Sequence, residues 1–169
     1  MKVEVNAVVN GERRSATVEA AMSLVDFLRN GLGLTGTHVG CRSASCGACT
    51  INLDGRTVKS CCVLAAEADG ARIETVEAGE DKGLDDVQQA FIDCHAMQCG
   101  FCTPGMIISV RALLESNPAP TRDEARRAIA GNLCRCTGYT NILEAIDDAS
   151  RKRRGAQHES TGADSLIQR

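Results

Sequence analysis

Cys41-Arg42-Ser43-Ala44-Ser45-Cys46-Gly47-Ala48-Cys49, followed at a distance by Cys61, is the stretch from which the rest of the chain can be read. C-x4-C-x2-C with a distant fourth cysteine is the spacing of plant-type 2Fe–2S ligation. Each iron takes two thiolates, and the bridging sulfides need backbone N–H donors close by. Gly40 and Gly47 let such a loop wrap tightly with no Cβ in the way. Zinc is the competing ion, because four thiolates also close a structural zinc site. Zinc ligands usually come as paired short knuckles, and the x4 arm fits that poorly.

The flanks of this loop read as strands. Lys2 to Val9 alternates with period two, placing Val3, Val5 and Ala7 on one face. Asn10-Gly11 is a type I′ hairpin signal, and Arg13 to Ala20 reads as the returning strand. Ser23-x-x-Asp26 resembles a capping box that opens a short helix with Leu24, Phe27 and Leu28, ended by Gly31 and Gly33. Beyond the loop, Thr50 to Leu53, the Asp54-Gly55 turn and Arg56 to Ser60 form a second hairpin, and Arg72 to Glu77 a last strand. Two hairpins around one helix predict a mixed sheet of the ferredoxin type, a β-grasp domain over residues 1–77. Residues 78–84 are polar and Gly-flanked, and read as a linker.

The periodicity then changes to that of helices. Val87, Ala90, Phe91 and Cys94 share one stripe, as do Ile107, Val110 and Leu114, and then Ile142, Ile146 and Ala149. Thr121-x-x-Glu124 is a capping box for a helix running to Ile129, with Gly131 closing it. Four short helices predict a four-helix bundle domain over 85–153, making the chain α+β, with a tail over 154–169. This half holds Cys99-x2-Cys102 and Cys134-x-Cys136. Thr103 suits an N-cap and Pro104 the first helical position. Two residues rotate a helix by about 200°, so Cys134 and Cys136 must lie in an irregular turn. That turn can meet the Cys99–Cys102 turn at one end of the bundle, near helix N-termini that favour an anionic group. Spacing alone leaves zinc as a rival here.

The totals narrow the classes. The chain has 169 residues, with 19 basic against 22 acidic side chains and a net charge of −3, which gives no general attraction to nucleic acid. No continuous apolar run is long enough for a membrane span, and Met1 to Arg14 lacks the apolar block of a signal peptide. A cytoplasmic setting is the expectation. Ten cysteines in such a chain argue for metal ligands, because a reducing compartment disfavours disulfides. Only 2% of residues are aromatic, and a core built on Ala, Val, Leu and Ile gains from metal staples.

With both cysteine sets in view, the chain resembles the iron–sulfur (small) subunit of the molybdenum hydroxylases, the xanthine oxidase family. Gly40-Cys41, Ser45-Cys46-Gly47-Ala48-Cys49-Thr50-Ile51 and Ser60-Cys61 look like its first-cluster loop. Gln98-Cys99-Gly100-Phe101-Cys102-Thr103-Pro104-Gly105-Met106 and Gly131-Asn132-Leu133-Cys134-Arg135-Cys136-Thr137-Gly138-Tyr139 look like its second-cluster signatures. The match spans residues 3 to 150. It implies two 2Fe–2S clusters, one on Cys41, Cys46, Cys49 and Cys61 and the other on Cys99, Cys102, Cys134 and Cys136. It also implies a large subunit binding a molybdopterin dinucleotide, where substrate is hydroxylated, and a medium subunit binding FAD, assembled as a dimer of heterotrimers. Electrons would leave molybdenum singly through the second cluster, then the first, to FAD. Gln98 would hydrogen-bond the pterin, and Cys136 would accept from its amino group. Catalytic residues are expected on the partner, not here. The substrate expected is an aromatic N-heterocycle, with aldehydes, carbon monoxide and aroyl-CoA esters as alternatives.

The remaining features read blandly. Cys62 should point away from Cys61 on a strand and be buried, standing in for Cys61 only with a shift of pairing register, and Cys94 should be buried on its helical stripe. His38 is not needed as a ligand, and His95 suits a helix end. Arg42 sits where the family often has an acidic residue, and would raise the first cluster's potential if it faced the cluster. Ala96 replaces a usual glycine. Arg151 to Arg154 suits a helix C-terminus, with the following residues loose. A zinc scaffold without redox function is the rival from another class, and a free-standing ferredoxin is disfavoured by the second domain.

Overall fold

The computed structural model describes residues 1–79 and 82–164, with side chains to Gly155. Glu80 and Asp81 of the expected linker, and the end of the tail, lie outside the described residues. Strand β1 (Lys2–Val9) pairs antiparallel with β2 (Glu12–Glu19) across a turn in which Asn10 and Gly11 both have positive φ, as a type I′ turn requires. Strands β3 (Thr50–Leu53) and β4 (Arg56–Lys59) repeat the device at Asp54-Gly55. Strand β5 (Arg72–Glu74) enters between the hairpins, parallel to β1 and antiparallel to β3, giving the order β2-β1-β5-β3-β4. The mixed sheet is as expected.

One sheet face is closed by α1 (Leu24–Asp26), which widens at once into a π-helical turn over Phe27–Gly31. Ser23 caps it, its hydroxyl accepting from the Asp26 N–H at 3.3 Å. Leu24, Phe27 and Leu28 are fully buried against Val5, Val9, Ile51 and Ile73. Burying side chains of this size stabilises by about 1.5–3 kcal/mol each.

Helices α2 (Asp86–Asp93), α3 (Thr103–Ser116), α4 (Arg122–Ile129) and α5 (Thr140–Asp164) share a second core of Val87, Phe91, Met106, Val110, Leu114, Ile142 and Ile146. The predicted capping box at Thr121 and Glu124 is present. Helix α5 runs well past the expected end near Ser150. Its basic run, expected at a helix C-terminus, lies inside the helix and is paired: Lys152 Nζ lies 2.7 Å from both Asp93 and Asp148, and Arg153 pairs with Asp86 on α2. Helix α2 ends with His95 in the left-handed region (φ 51°), the Ala96 N–H donating to Phe91 O at 2.8 Å and the His95 N–H to Ile92 O at 3.0 Å. His95, not Ala96, takes the strained position of this Schellman end, so alanine at 96 costs nothing on backbone grounds.

The two cores meet where α3 packs on β3 and β4. The contact is backbone on backbone. A Cβ on Gly105 would lie 2.3 Å from Gly47 O, and one on Gly47 would lie 2.2 Å from Gly131 O. Asn132, 2% exposed, spans the joint: its Nδ2 donates to Gly47 O at 3.0 Å, and its Oδ1 accepts from Ser109 Oγ at 2.9 Å.

Candidate iron–sulfur sites

The first loop carries its cysteines between α1 and β3, on a backbone that reverses sharply. Arg42 and Ala44 have positive φ, as does Gly47. The loop folds back on its own sulfur: the N–H groups of Ser43 and Cys46 donate to Cys41 Sγ at 3.4 and 3.3 Å. A Cβ on Gly40 would meet Cys46 Sγ at 3.0 Å, which explains the glycine there. Cys41 is exposed and Cys49 buried. The Ser43 hydroxyl, then the N–H groups of Ser43 and Cys46, bring the Cys41 thiol down to about 6, while burial pushes Cys49 up to about 11.

Among the described residues no three His, Cys, Asp or Glu side chains converge where a single ion could sit. The cysteines come together in pairs. The thiols of Cys41 and Cys46 neighbour each other, as do those of Cys49 and Cys61. In the second set Cys136 Sγ lies 3.5 Å from Cys99 Sγ, and the thiols of Cys102 and Cys134 neighbour each other. Each set thus has an inner and an outer pair. Cys99 and Cys136 are exposed, whereas burial pushes Cys102 up to about 12. Two thiolates on each of two irons is the demand of a 2Fe–2S group, so the donor chemistry and its pairing fit one such group at each set.

The second set is placed as the spacing predicts, in irregular turns before α3 and before α5. Thr103 corrects one detail. Cys102 occupies the N-cap, and Thr103 is the first helical residue, so Pro104 moves to the second position. The Thr103 Oγ1 is buried without a hydrogen-bond partner, one residue from Cys102. A polar atom left over at a helix start beside a thiol is a donor available to a bound sulfide. Tyr139, itself at φ 69°, accepts from the Cys134 N–H at 2.9 Å, and the Thr137 N–H points at Cys134 Sγ at 3.5 Å. Gln98 is exposed beside Cys99, and Met97 (36% exposed), Phe101 (47%) and Leu133 (58%) are exposed apolar side chains flanking the second set's cysteines in the chain.

Other expectations are revised. Cys61 and Cys62 lie on a 3₁₀ turn (Ser60–Cys62), not on the strand. Cys62 is exposed rather than buried, its sulfur 3.7 Å from that of Cys61. The Ser60 N–H still donates to Cys49 O at 3.2 Å in the register of the β3–β4 ladder, its hydroxyl donates to the same oxygen at 2.7 Å, and the turn begins there. Cys94 is half-buried against the helical core, near its expected place. Arg42 is engaged by a carboxylate. Its guanidinium grips Asp26 with two hydrogen bonds of 2.7 and 2.9 Å and holds that carboxyl near 2, so the cation is already compensated. His38 donates from Nδ1 to Phe101 O at 2.8 Å and stacks on the Phe101 ring, linking the two halves.

Lys59 was not foreseen as a site residue. Its ammonium donates to Thr50 Oγ1 at 2.7 Å and reaches Asn132 Oδ1 at 3.5 Å, at the joint beside the first set. Burial lowers its pKa, opposed by the nearby thiols of Cys49, Cys46 and Cys61. The signal was present in the two-residue Asp54-Gly55 turn, which fixes Thr50 opposite Lys59. The joint also carries a direct backbone link, the Leu133 N–H donating to Cys46 O at 2.8 Å.

Comparison with known proteins agrees with this geometry. Residues 7–78 match the family described as 2Fe-2S iron-sulfur cluster binding domain, and residues 73–147 the [2Fe-2S] binding domain. The chain is 52% identical to the nicotine 6-hydroxylase small subunit of Paenarthrobacter nicotinovorans, covering 88% of this chain and 90% of that one. It is 46% identical to the nicotinate dehydrogenase small FeS subunit of Eubacterium barkeri, covering 86% and 93%. Among solved structures, quinoline 2-oxidoreductase from Pseudomonas putida 86 superposes with a TM-score of 0.87 at 48% identity, over 91% of this chain and 98% of that one. The aldehyde oxidoreductase of Desulfovibrio gigas gives 0.86 at 39%, the match taking up 17% of that much longer chain. The chain belongs to the 2Fe–2S small-subunit family of the molybdenum hydroxylases, the xanthine oxidase family, and is an electron-transfer subunit of such an oxidoreductase.

Proposed function

We propose that this chain carries electrons one at a time from the molybdopterin centre of a large subunit, through two 2Fe–2S clusters, to the FAD of a medium subunit. Each cluster, when bound, supplies a one-electron couple. Residues 1–77 are read as a β-grasp domain holding the first on Cys41, Cys46, Cys49 and Cys61. Residues 85–153 are read as a four-helix bundle holding the second on Cys99, Cys102, Cys134 and Cys136, with 78–84 as the linker and 154–169 as the tail. The observation that carries the reading is the inner-and-outer pairing of thiols in both sets. It suits two irons per set better than one tetrahedral zinc.

What the chain's residues do is hold, shield and orient. Cys49 and Cys102 bring thiols into low-dielectric surroundings, where a metal must supply the charge that keeps them ionised. The joint of Gly47, Gly105 and Asn132 fixes the spacing of the two sets. At the outer rim, Gln98 and the exposed Cys136 are the groups that would meet the pterin, and Met97, Phe101 and Leu133 supply apolar surface for the large subunit.

The substrate class favoured is an aromatic N-heterocycle, in line with relatives named for nicotine, nicotinate and caffeine and a neighbour named for quinoline. Relatives named as aldehyde oxidoreductases favour the second reading, the same relay serving an aldehyde. Purifying the chain with its native partners and adding nicotine, nicotinate, quinoline or an aldehyde anaerobically separates these. The proposal predicts that an N-heterocycle bleaches both clusters and that an FAD-bearing chain co-purifies. Bleaching by the aldehyde alone selects the second reading. The absence of a molybdenum-bearing partner contradicts the proposal.

A further inference from the structure

We infer that Cys62 is a reserve ligand of the first cluster, able to take the iron position of Cys61. This rests on the assignment of that cluster to Cys41, Cys46, Cys49 and Cys61. Neighbouring side chains on a strand point to opposite faces, but successive residues of a 3₁₀ turn are rotated by only about 120°. Ser60–Cys62 is such a turn, and it leaves the two sulfurs 3.7 Å apart. Two thiolates on one tetrahedral ion at about 2.3 Å stand about 3.8 Å from each other. The contact is thus of ligand scale, like the 3.5 Å between Cys99 and Cys136.

Cys62 is also free to move. It is exposed, and among the described residues its sulfur has no hydrogen-bond partner other than that of Cys61. One rotamer step swings a cysteine sulfur by about 3 Å, enough to cover most of the gap. No other ligand of the set has an adjacent cysteine: Cys41, Cys46 and Cys49 are flanked by Gly40, Arg42, Ser45, Gly47, Ala48 and Thr50. Redundancy is therefore confined to the fourth ligand. The exchange breaks one iron–sulfur bond to Cys61 and makes one to Cys62. The Cys62 proton passes to the released Cys61 thiolate or to water, and no electron moves.

The test uses the iron-loaded chain with its partner subunits and compares Cys61→Ala, Cys62→Ala, Cys49→Ala and Cys61→Ala/Cys62→Ala. The readouts are iron per chain and the two reduced-cluster EPR signals, the second-cluster signal reporting a folded chain. Reserve ligation predicts that Cys61→Ala keeps roughly half or more of the first-cluster signal, with altered g values. The double variant and Cys49→Ala should lose it at least tenfold while keeping the second signal. Cys62→Ala should leave both signals unchanged. The inference is overturned if Cys61→Ala loses the first signal as fully as the double variant, or loses both signals. Absence of 2Fe–2S signals in the parent protein would instead overturn the cluster assignment itself.

Discussion

Gly105→Ala is the substitution whose outcome separates helix propensity from packing most sharply. Gly105 lies in the first turn of α3 with no positive φ, so alanine meets no backbone strain there. Propensity alone predicts a gain of up to about 1 kcal/mol. The structure predicts the opposite. The new Cβ would sit 2.3 Å from Gly47 O and 3.3 Å from Ala48 O, both main-chain atoms of the first cysteine loop. Backbone cannot swing aside as a side chain can, so α3 must lift from the loop. Overpacking of this kind costs about 1–3 kcal/mol. At a urea dependence of about 2 kcal/mol per molar, the unfolding midpoint should fall by about 1 M. Far-UV circular dichroism of the iron-loaded chain against urea reads this directly. Gly155→Ala, in α5 with nothing within 4 Å of the added Cβ, is the control. It should raise the midpoint. A Gly105→Ala midpoint at or above the parent would refute the account of the joint.

Three further outcomes follow from named contacts. Asn132→Ala removes the bridge from Ser109 to Gly47 O at a buried joint, although Ser109 keeps Gly105 O and Gly47 O keeps Thr50, and should cost about 1–3 kcal/mol in the same urea assay; a loss under about 0.5 kcal/mol would place the joint's strength elsewhere. Arg42→Gln should let the Asp26 carboxyl rise from about 2 toward its ordinary range, read by carboxyl NMR on the diamagnetic, iron-free chain. Because the folded value is depressed, the stability Arg42 contributes through Asp26 is present above about pH 4 and is lost as pH falls toward 2; a gap between the two proteins that widens on acidification would contradict this. Lys59→Met removes a half-buried cation from beside the first thiol set, so that cluster should become harder to reduce, on the order of 60 mV for a tenfold change in the reduced-to-oxidised ratio; an unchanged midpoint in an EPR redox titration would show the ammonium screened from it.

Much of this was legible in residue order, for definite reasons. The hairpins rest on Asn10-Gly11 and Asp54-Gly55, which leave the chain few alternatives at φ above zero. The helical stripes, from Val87 to Ala149, are buried as their period requires. Local rules failed where a tertiary contact outbid them. Cys61 and Cys62 leave the strand for a 3₁₀ turn just after the last ladder bond at Ser60, so period-two reasoning put Cys62 on the wrong face. Arg42 is compensated because Asp26, sixteen residues earlier, offers two oxygens that no spacing rule announces. Thr103 lost the cap to Cys102 because the thiol loop takes the turn that a cap would occupy. The joint between the cores was the least legible feature. It depends on small residues at 47, 105 and 131 being brought together from three separate segments.

The most direct test of the central claim is the iron, zinc and EPR analysis of the purified chain and of its Cys49→Ser and Cys102→Ser variants. Two 2Fe–2S clusters predict two irons per thiol set and two distinct reduced-cluster signals, one abolished in Cys49→Ser and the other in Cys102→Ser. A colourless protein with one zinc per set, or a single signal removed by both substitutions, would contradict it.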